Sequence, residues 1–273
     1  MTAFFELFSL LQLGFFQRAV LGGLGIGILA PLCGQYLVAR RVSNFADGTA
    51  HIAILGIVLG LLLESNPLWF GLVVAVLGGI SLEALRERQL VQTDAAVTLL
   101  LVLSLALVSV LTARIGTARS LEALLFGSIL TITWGQVVLV WGLVGLAGVL
   151  VRRHYRQLLT TVYQDNLARL VGVRGRGYNY ALMVASALVV GISVDLIGGL
   201  LVSGLMIVPV LTAQLSNRGF ARTHGQAVGW GAGSVLGGLA LAGLLDLPAG
   251  AAVALVAVGG FGVTLAWSFL SRP

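Results

Sequence analysis

Residues Ala46-Asp47-Gly48-Thr49-Ala50-His51-Ile52-Ala53-Ile54-Leu55-Gly56-Ile57-Val58-Leu59-Gly60-Leu61-Leu62-Leu63 form an apolar run about long enough to cross a bilayer as a helix. An acid and a histidine stand near its start. The apolar run sets the fold class, because its neighbours on both sides repeat the pattern. Of the 273 residues, 58% are hydrophobic and 10% charged, whereas a soluble domain carries roughly a quarter charged residues. Sixteen basic and ten acidic side chains cannot cover a water-exposed exterior of this size. The solvent for this chain is lipid.

Cutting the chain at its charges gives nine candidate spans: residues 15–39, 46–63, 67–84, 94–112, 133–151, 178–194, 197–215, 226–245 and 248–268. The second and third are divided by little more than Glu64, Ser65, Asn66 and Pro67, and the sixth and seventh by the neighbourhood of Asp195, so counts of eight and ten stay open. The expected fold is therefore an all-α polytopic helical bundle of about eight to nine transmembrane helices. With the N-terminus outside and the C-terminus inside, the inner loops hold Arg40, Arg41, Arg86, Arg88, Arg152, Arg153, Arg156, Arg169, Arg174, Arg176, Arg218, Arg222 and Arg272. The outer side keeps Arg18, Arg114 and Arg119, which satisfies the positive-inside rule. The Phe-rich start lacks a basic n-region and a small-residue cleavage site, so we read it as retained.

Composition also excludes several function classes. The chain contains no lysine, so it cannot carry the Gly-Lys-Ser/Thr ending of a Walker A loop. Its one cysteine, Cys33, sits in an apolar run and reads as a small buried hydrophobe. The arginines are spread between spans and form no clustered basic face, so no nucleic-acid partner is expected. Glycine, 37 residues, falls largely inside spans, where small-xxx-small pairs at Gly23/Gly27, Gly56/Gly60 and Gly233/Gly237 favour close helix packing. Pro31 and Pro209 fall within spans and should kink them. Residues 152–177 read as the longest polar loop, a place to dock a partner, and residues 115–133 as a short amphipathic helix at the outer surface.

An ionisable group inside a span is costly and therefore a functional hypothesis. Asp47 and His51 lie at i and i+4, on one helical face. A carboxylate oxygen and an imidazole nitrogen so placed suit a borderline divalent cation such as zinc or manganese. The competing structural reading is that Asp47 caps the helix and His51 hydrogen-bonds to it. Two ligands do not complete a site, whereas a twofold dimer with this helix near its axis would supply two Asp and two His. His154 and His224 read as solvated loop residues. Asp195 and Asp246 read as turn markers, with an outer-gate role open to Asp195.

Read residue by residue, the stretch from Gly34 through Arg40, Arg41, Ser43, Asp47 and His51 resembles the permease subunits of ABC importers for zinc, manganese and iron. Their pattern is an apolar span, a basic pair, Ser, then Asp-x-x-x-His. Leu124-Leu125-Phe126-Gly127-Ser128-Ile129-Leu130 is similar to that family's Leu-Phe-Gly-Asp-Ile-Leu element, and residues 198–213 to its Gly-x-Leu-Leu-Val…Pro…Ala signature. Phe220-Ala221-Arg222-Thr223 and Asp246-Leu247-Pro248-Ala249-Gly250 resemble zinc permeases in particular. The resemblance runs through nearly the whole chain. It implies one transmembrane permease domain over residues 1–273 in the cell (inner) membrane, with the metal-type ABC importer permease fold and no catalytic activity of its own. It further implies a homodimer, two copies of a separate ABC ATPase subunit and an extracytoplasmic metal-binding protein. No cofactor is held permanently, and the cargo is zinc, alternatively manganese or iron. The family's metal-binding acid and histidine carry over onto Asp47 and His51. Its ATPase-coupling helix carries over onto Asp165, Asn166, Ala168 and Gly172. Departures from the pattern are Asn166 where an acid is usual, Ser128 for Asp, and Gly48-Thr49 for a more apolar pair. A secondary transporter without an ATPase, and a non-transporting scaffold, are the rival classes.

Overall fold

Nine α-helices follow one another among the residues described in the computed structural model, namely 12–88, 92–115, 127, 129–163, 175–216 and 219–271. They are α1 (Gly14–Ala39), α2 (Asn44–Leu62), α3 (Pro67–Glu87), α4 (Thr93–Ile115), α5 (Trp134–Tyr163), α6 (Gly175–Ile197), α7 (Gly199–Gln214), α8 (Phe220–Leu245) and α9 (Ala249–Leu270). Each coincides with one expected span. Eight are long and apolar enough to cross a membrane, and α7, at 16 residues, is a shorter apolar helix. Hydrocarbon offers no partner for backbone N–H and C=O groups, so apolar runs of this length become helices whatever their intrinsic propensity.

Helices α1, α2, α6 and α7 form the centre. They supply most of the largest fully buried side chains, among them Ile26, Leu29, Tyr36, Leu37, Ile57, Met183, Leu205 and Met206. Helices α3, α4, α5, α8 and α9 surround them and turn apolar faces outward, with Val138, Val149, Val263 and Trp267 each well exposed. In lipid such exposure is ordinary solvation. Of the small-residue pairs, Gly23/Gly27 lies against α8 and Gly56/Gly60 against α3, where an added Cβ would clash. Of the third pair, Gly233 faces open space, whereas Gly237 packs on Val256 of α9, and its neighbour Gly238 meets the backbone of Val253 on the same helix.

Two further expectations change. Residues 152–163 are not loop; they continue α5 past a non-helical residue at His154 (φ −108°, ψ 16°). Helix α8 begins at Phe220, earlier than expected, and so takes in His224. Of residues 115–133, read as an amphipathic helix, 116–126 and 128 lie outside the described residues, and the described part holds a short 3-10 turn, Ile129–Thr131. Pro31 and Pro209 both lie inside helices that run on through them.

Helices α6 and α7 are separated by a single residue, Gly198, at φ 87° and ψ 155°. That backbone region is essentially closed to residues with a Cβ. Gly198→Ala is accordingly expected to destabilise the fold by about 1–3 kcal/mol, read as a lower midpoint of thermal unfolding in detergent. An unchanged midpoint would mean that the break relaxes without cost.

A buried charge network joins the end of α1 to α3. Arg40 Nη2 lies 3.3 Å from Glu83 Oε1, with side chains 3% and 6% exposed, and Arg86 approaches the second Glu83 oxygen at 3.5 Å. Next to it, Arg176 pairs with Glu87, which also accepts a 3.1 Å hydrogen bond from Tyr180. One arginine expected only to mark the inner loops is thus part of the packing between α1 and α3.

Candidate metal site

Helix α2 begins after a tight reversal at residues 40–43, in which the Val42 N–H donates to the Leu37 carbonyl at 3.0 Å. Ser43 occupies the cap position without a side-chain cap bond. Asp47 is already inside the first turn, so it is not the cap, and the competing structural reading loses its first half. The position still favours a carboxylate, because the N-terminal end of a helix carries partial positive charge.

The second half fails on distance. His51 Nε2 lies 3.9 Å from Asp47 Oδ1, too far for a hydrogen bond. His51 Nδ1 is buried and has no hydrogen-bond partner among the described residues. The two side chains therefore lie side by side with their donor atoms uncommitted to each other. Two ligands on one tetrahedral zinc at 2.0 Å each would sit about 3.3 Å apart, so a small rotamer adjustment brings both onto one ion.

Access distinguishes this face from the rest of α2. Asp47 is 41% and His51 12% exposed at the side chain, and Leu55 and Leu59 continue the half-exposed stripe at the same four-residue interval. The residues between them are buried against α3, α4, α6 and α7. Helix α7 presents a comparable stripe at Leu200, Gly204, Val208 and Leu211, and a Cβ added at Gly204 would meet nothing within 4 Å. Among the described residues, no group of three His, Cys, Asp or Glu side chains comes together. The chain brings an acid and a histidine together on an accessible face near the start of α2.

Other sequence expectations resolve differently. Asp165, Asn166, Ala168 and Gly172 lie outside the described residues. Asp195 sits in the last turn of α6 and accepts a 3.3 Å hydrogen bond from Gln136 on α5. Asp246 ends α8 in the left-handed region (φ 53°), as a turn marker does. His154 is not in a loop; it is half-buried within α5, its Nδ1 3.2 Å from the Tyr178 hydroxyl on α6. His224 is not in a loop either. It is half-buried near the start of α8, its Nδ1 2.5 Å from Gln35 Oε1 on α1. Gln35 and Tyr36, both almost fully buried beside it, had no signal of their own in the sequence. The one available clue was a histidine only four residues past a Gly-Phe helix start.

The comparisons with known proteins agree with one another. The model of the ABC 3 transport family matches residues 12–268. The high-affinity zinc uptake system membrane protein ZnuB of Haemophilus influenzae is 28% identical over 87% of this chain and 91% of its own length. A probable metal transport system membrane protein of Treponema pallidum is 31% identical, covering 78% of this chain and 80% of its own. The manganese import system permease protein ScaB of Streptococcus parasanguinis is 28% identical over 76% and 74%. Among solved structures, PsaBC from Streptococcus pneumoniae in complex with a Fab superposes at TM-score 0.84 over 95% of this chain and 94% of that one, at 24% identity. That likeness concerns the fold.

Proposed function

We propose, from the premise that the chain belongs to the ABC 3 transport family and is the non-catalytic permease subunit of a metal ABC importer, that its cargo is zinc and that Asp47 and His51 hold it in transit. The observation that carries the reading is the uncommitted acid and imidazole pair on the accessible face of α2. One carboxylate and one imidazole give half of the four donors that zinc accepts. We therefore place a second copy of the chain opposite the first, with the two α2 faces across a twofold axis and the ion between two Asp and two His.

In this scheme a metal-binding protein outside the cell (inner) membrane delivers the ion, and two copies of a separate ATPase drive the permease between outward- and inward-open states. Residues 164–172, which follow α5, are the segment we assign to ATPase docking through Asp165, Asn166, Ala168 and Gly172. Transport requires the pair to bind more tightly in one state than in the other, since a site of equal affinity moves no equilibrium. Asp47 supplies charge, and His51 a softer nitrogen that favours zinc over magnesium or calcium.

Manganese is the second reading, supported by the printed names of several relatives at similar identity. Reconstitution in liposomes with the ATPase and the binding protein, followed by radiolabelled zinc uptake under competition, separates the two. Unlabelled zinc should suppress uptake at a lower concentration than manganese or iron. Suppression by manganese at the lower concentration would assign the cargo to manganese instead.

A further inference from the structure

A second polar cluster, remote in sequence from Asp47 and His51, joins α1, α5 and α8. Gln35 Nε2 donates to the Phe220 carbonyl at 2.9 Å, which turns the amide so that Oε1 faces His224 Nδ1 at 2.5 Å. An amide oxygen only accepts, so Nδ1 carries the proton and Nε2 is left as a lone-pair acceptor. That Nε2 is buried and has no hydrogen-bond partner among the described residues. The Tyr36 hydroxyl is in the same condition, and Tyr36 itself is 1% exposed. The two rings meet edge to face, with centroids 5.8 Å apart and planes at 68°. A buried donor and a buried acceptor are thus carried on neighbouring rings, each without a partner among the described residues. Buried polar atoms are nearly always paired, so two complementary exceptions at one place call for an explanation.

The cluster also ties α1 and α8 to α5. Phe220 packs on Tyr36 at 5.4 Å and on Tyr155 at 6.2 Å between ring centroids. Tyr155 follows the non-helical residue of α5 and belongs to the part of that helix leading to residues 164–172. From Tyr36 the chain runs through residues 40–43 into Asp47. Relative shifts of packed helices by an ångström or two are the usual currency of such transitions, and α1 and α8 are packed directly on each other at this cluster.

We propose that Tyr36 and His224 form a two-position hydrogen-bond switch: released in the conformation described here, and closed in the opposite conformation of the transport cycle by donation from the Tyr36 hydroxyl to His224 Nε2. The switch rests on the importer reading above but not on the identity of the metal. Tyr36 and His224 act as positioning residues, biasing the equilibrium between the two states.

Tyr36→Phe tests it, because it removes one oxygen and leaves the ring packing. In the complex with ATPase and binding protein, the variant should unfold at the same or a higher temperature than the wild type, since it loses an unpaired buried hydroxyl. ATP-driven metal uptake and ATP hydrolysis should nevertheless fall about two- to ten-fold, the worth of one hydrogen bond. His224→Asn should lower turnover by a similar factor, and the double variant should be no worse than either single one. Wild-type turnover in Tyr36→Phe, or a loss of stability in parallel with turnover, would overturn the switch. Hydrolysis is read independently of the cargo, so a wild-type complex that hydrolyses ATP but moves no zinc or manganese refutes the metal reading alone.

Discussion

His51→Ala is expected to abolish metal uptake while leaving the fold in place. On the proposed reading the imidazole supplies one of two donors per chain, and the loss of even an outer-shell partner of a metal ligand costs about 10- to 100-fold in affinity. A ligand itself should cost at least the upper end of that range. If two copies share the ion, the change removes two donors of four at once, and the remaining carboxylates form a harder site suited to magnesium or calcium. Asp47→Ala should match it. Asp47→Asn should retain some uptake, because an amide oxygen still coordinates although its charge is gone. The measurement is radiolabelled uptake beside a thermal unfolding curve on the same preparation. Full uptake in both alanine variants would remove Asp47 and His51 from the transport path.

Glu83→Gln should cause the largest loss of stability. Arg40 and Glu83 lie 3.3 Å apart with both side chains almost wholly buried. Removing the carboxylate charge takes away the partner that compensates a guanidinium held out of water, and breaking a buried pair in this way costs about 3–5 kcal/mol. For a chain of this size that corresponds to a fall on the order of 10 °C in the unfolding midpoint. The double change Arg40→Met with Glu83→Leu should recover most of it, since an apolar pair of similar volume needs no compensation. A small loss in Glu83→Gln, or no recovery in the double variant, would show that the pair is solvated in the membrane-embedded protein.

Much of the architecture was legible because lipid is a simple solvent. It forces each apolar run to be a helix, so span positions and their number follow from where the charges fall. The acid and histidine of α2 stood out for the same reason, as ionisable groups in an otherwise apolar run. What escaped was the behaviour of polar residues at helix ends. Arg152, Arg153 and Arg156 read as a loop, yet a helix that leaves the membrane does not stop where the lipid stops. His224 read as solvated because it lies beside Arg222, and its burial depends on Gln35, 189 positions away. Side-chain spacing could mark Gly233/Gly237 as a packing pair, but which side of α8 faces α9 depends on the rotation of the helix, and it is Gly237 and Gly238, not Gly233, that meet α9. Pairing through space is set by tertiary contacts, and one sequence holds no record of them.

At 30 residues, α5 is about 45 Å long, against roughly 30 Å of hydrocarbon. Roughly a third of it must therefore overhang the bilayer, and the His154–Tyr178 contact falls where that overhang departs from α6. The helix is kinked at His154, about two-thirds of the way along, so the overhang is a jointed arm, and on the importer reading a force at its tip reaches the lipid-embedded part through that joint.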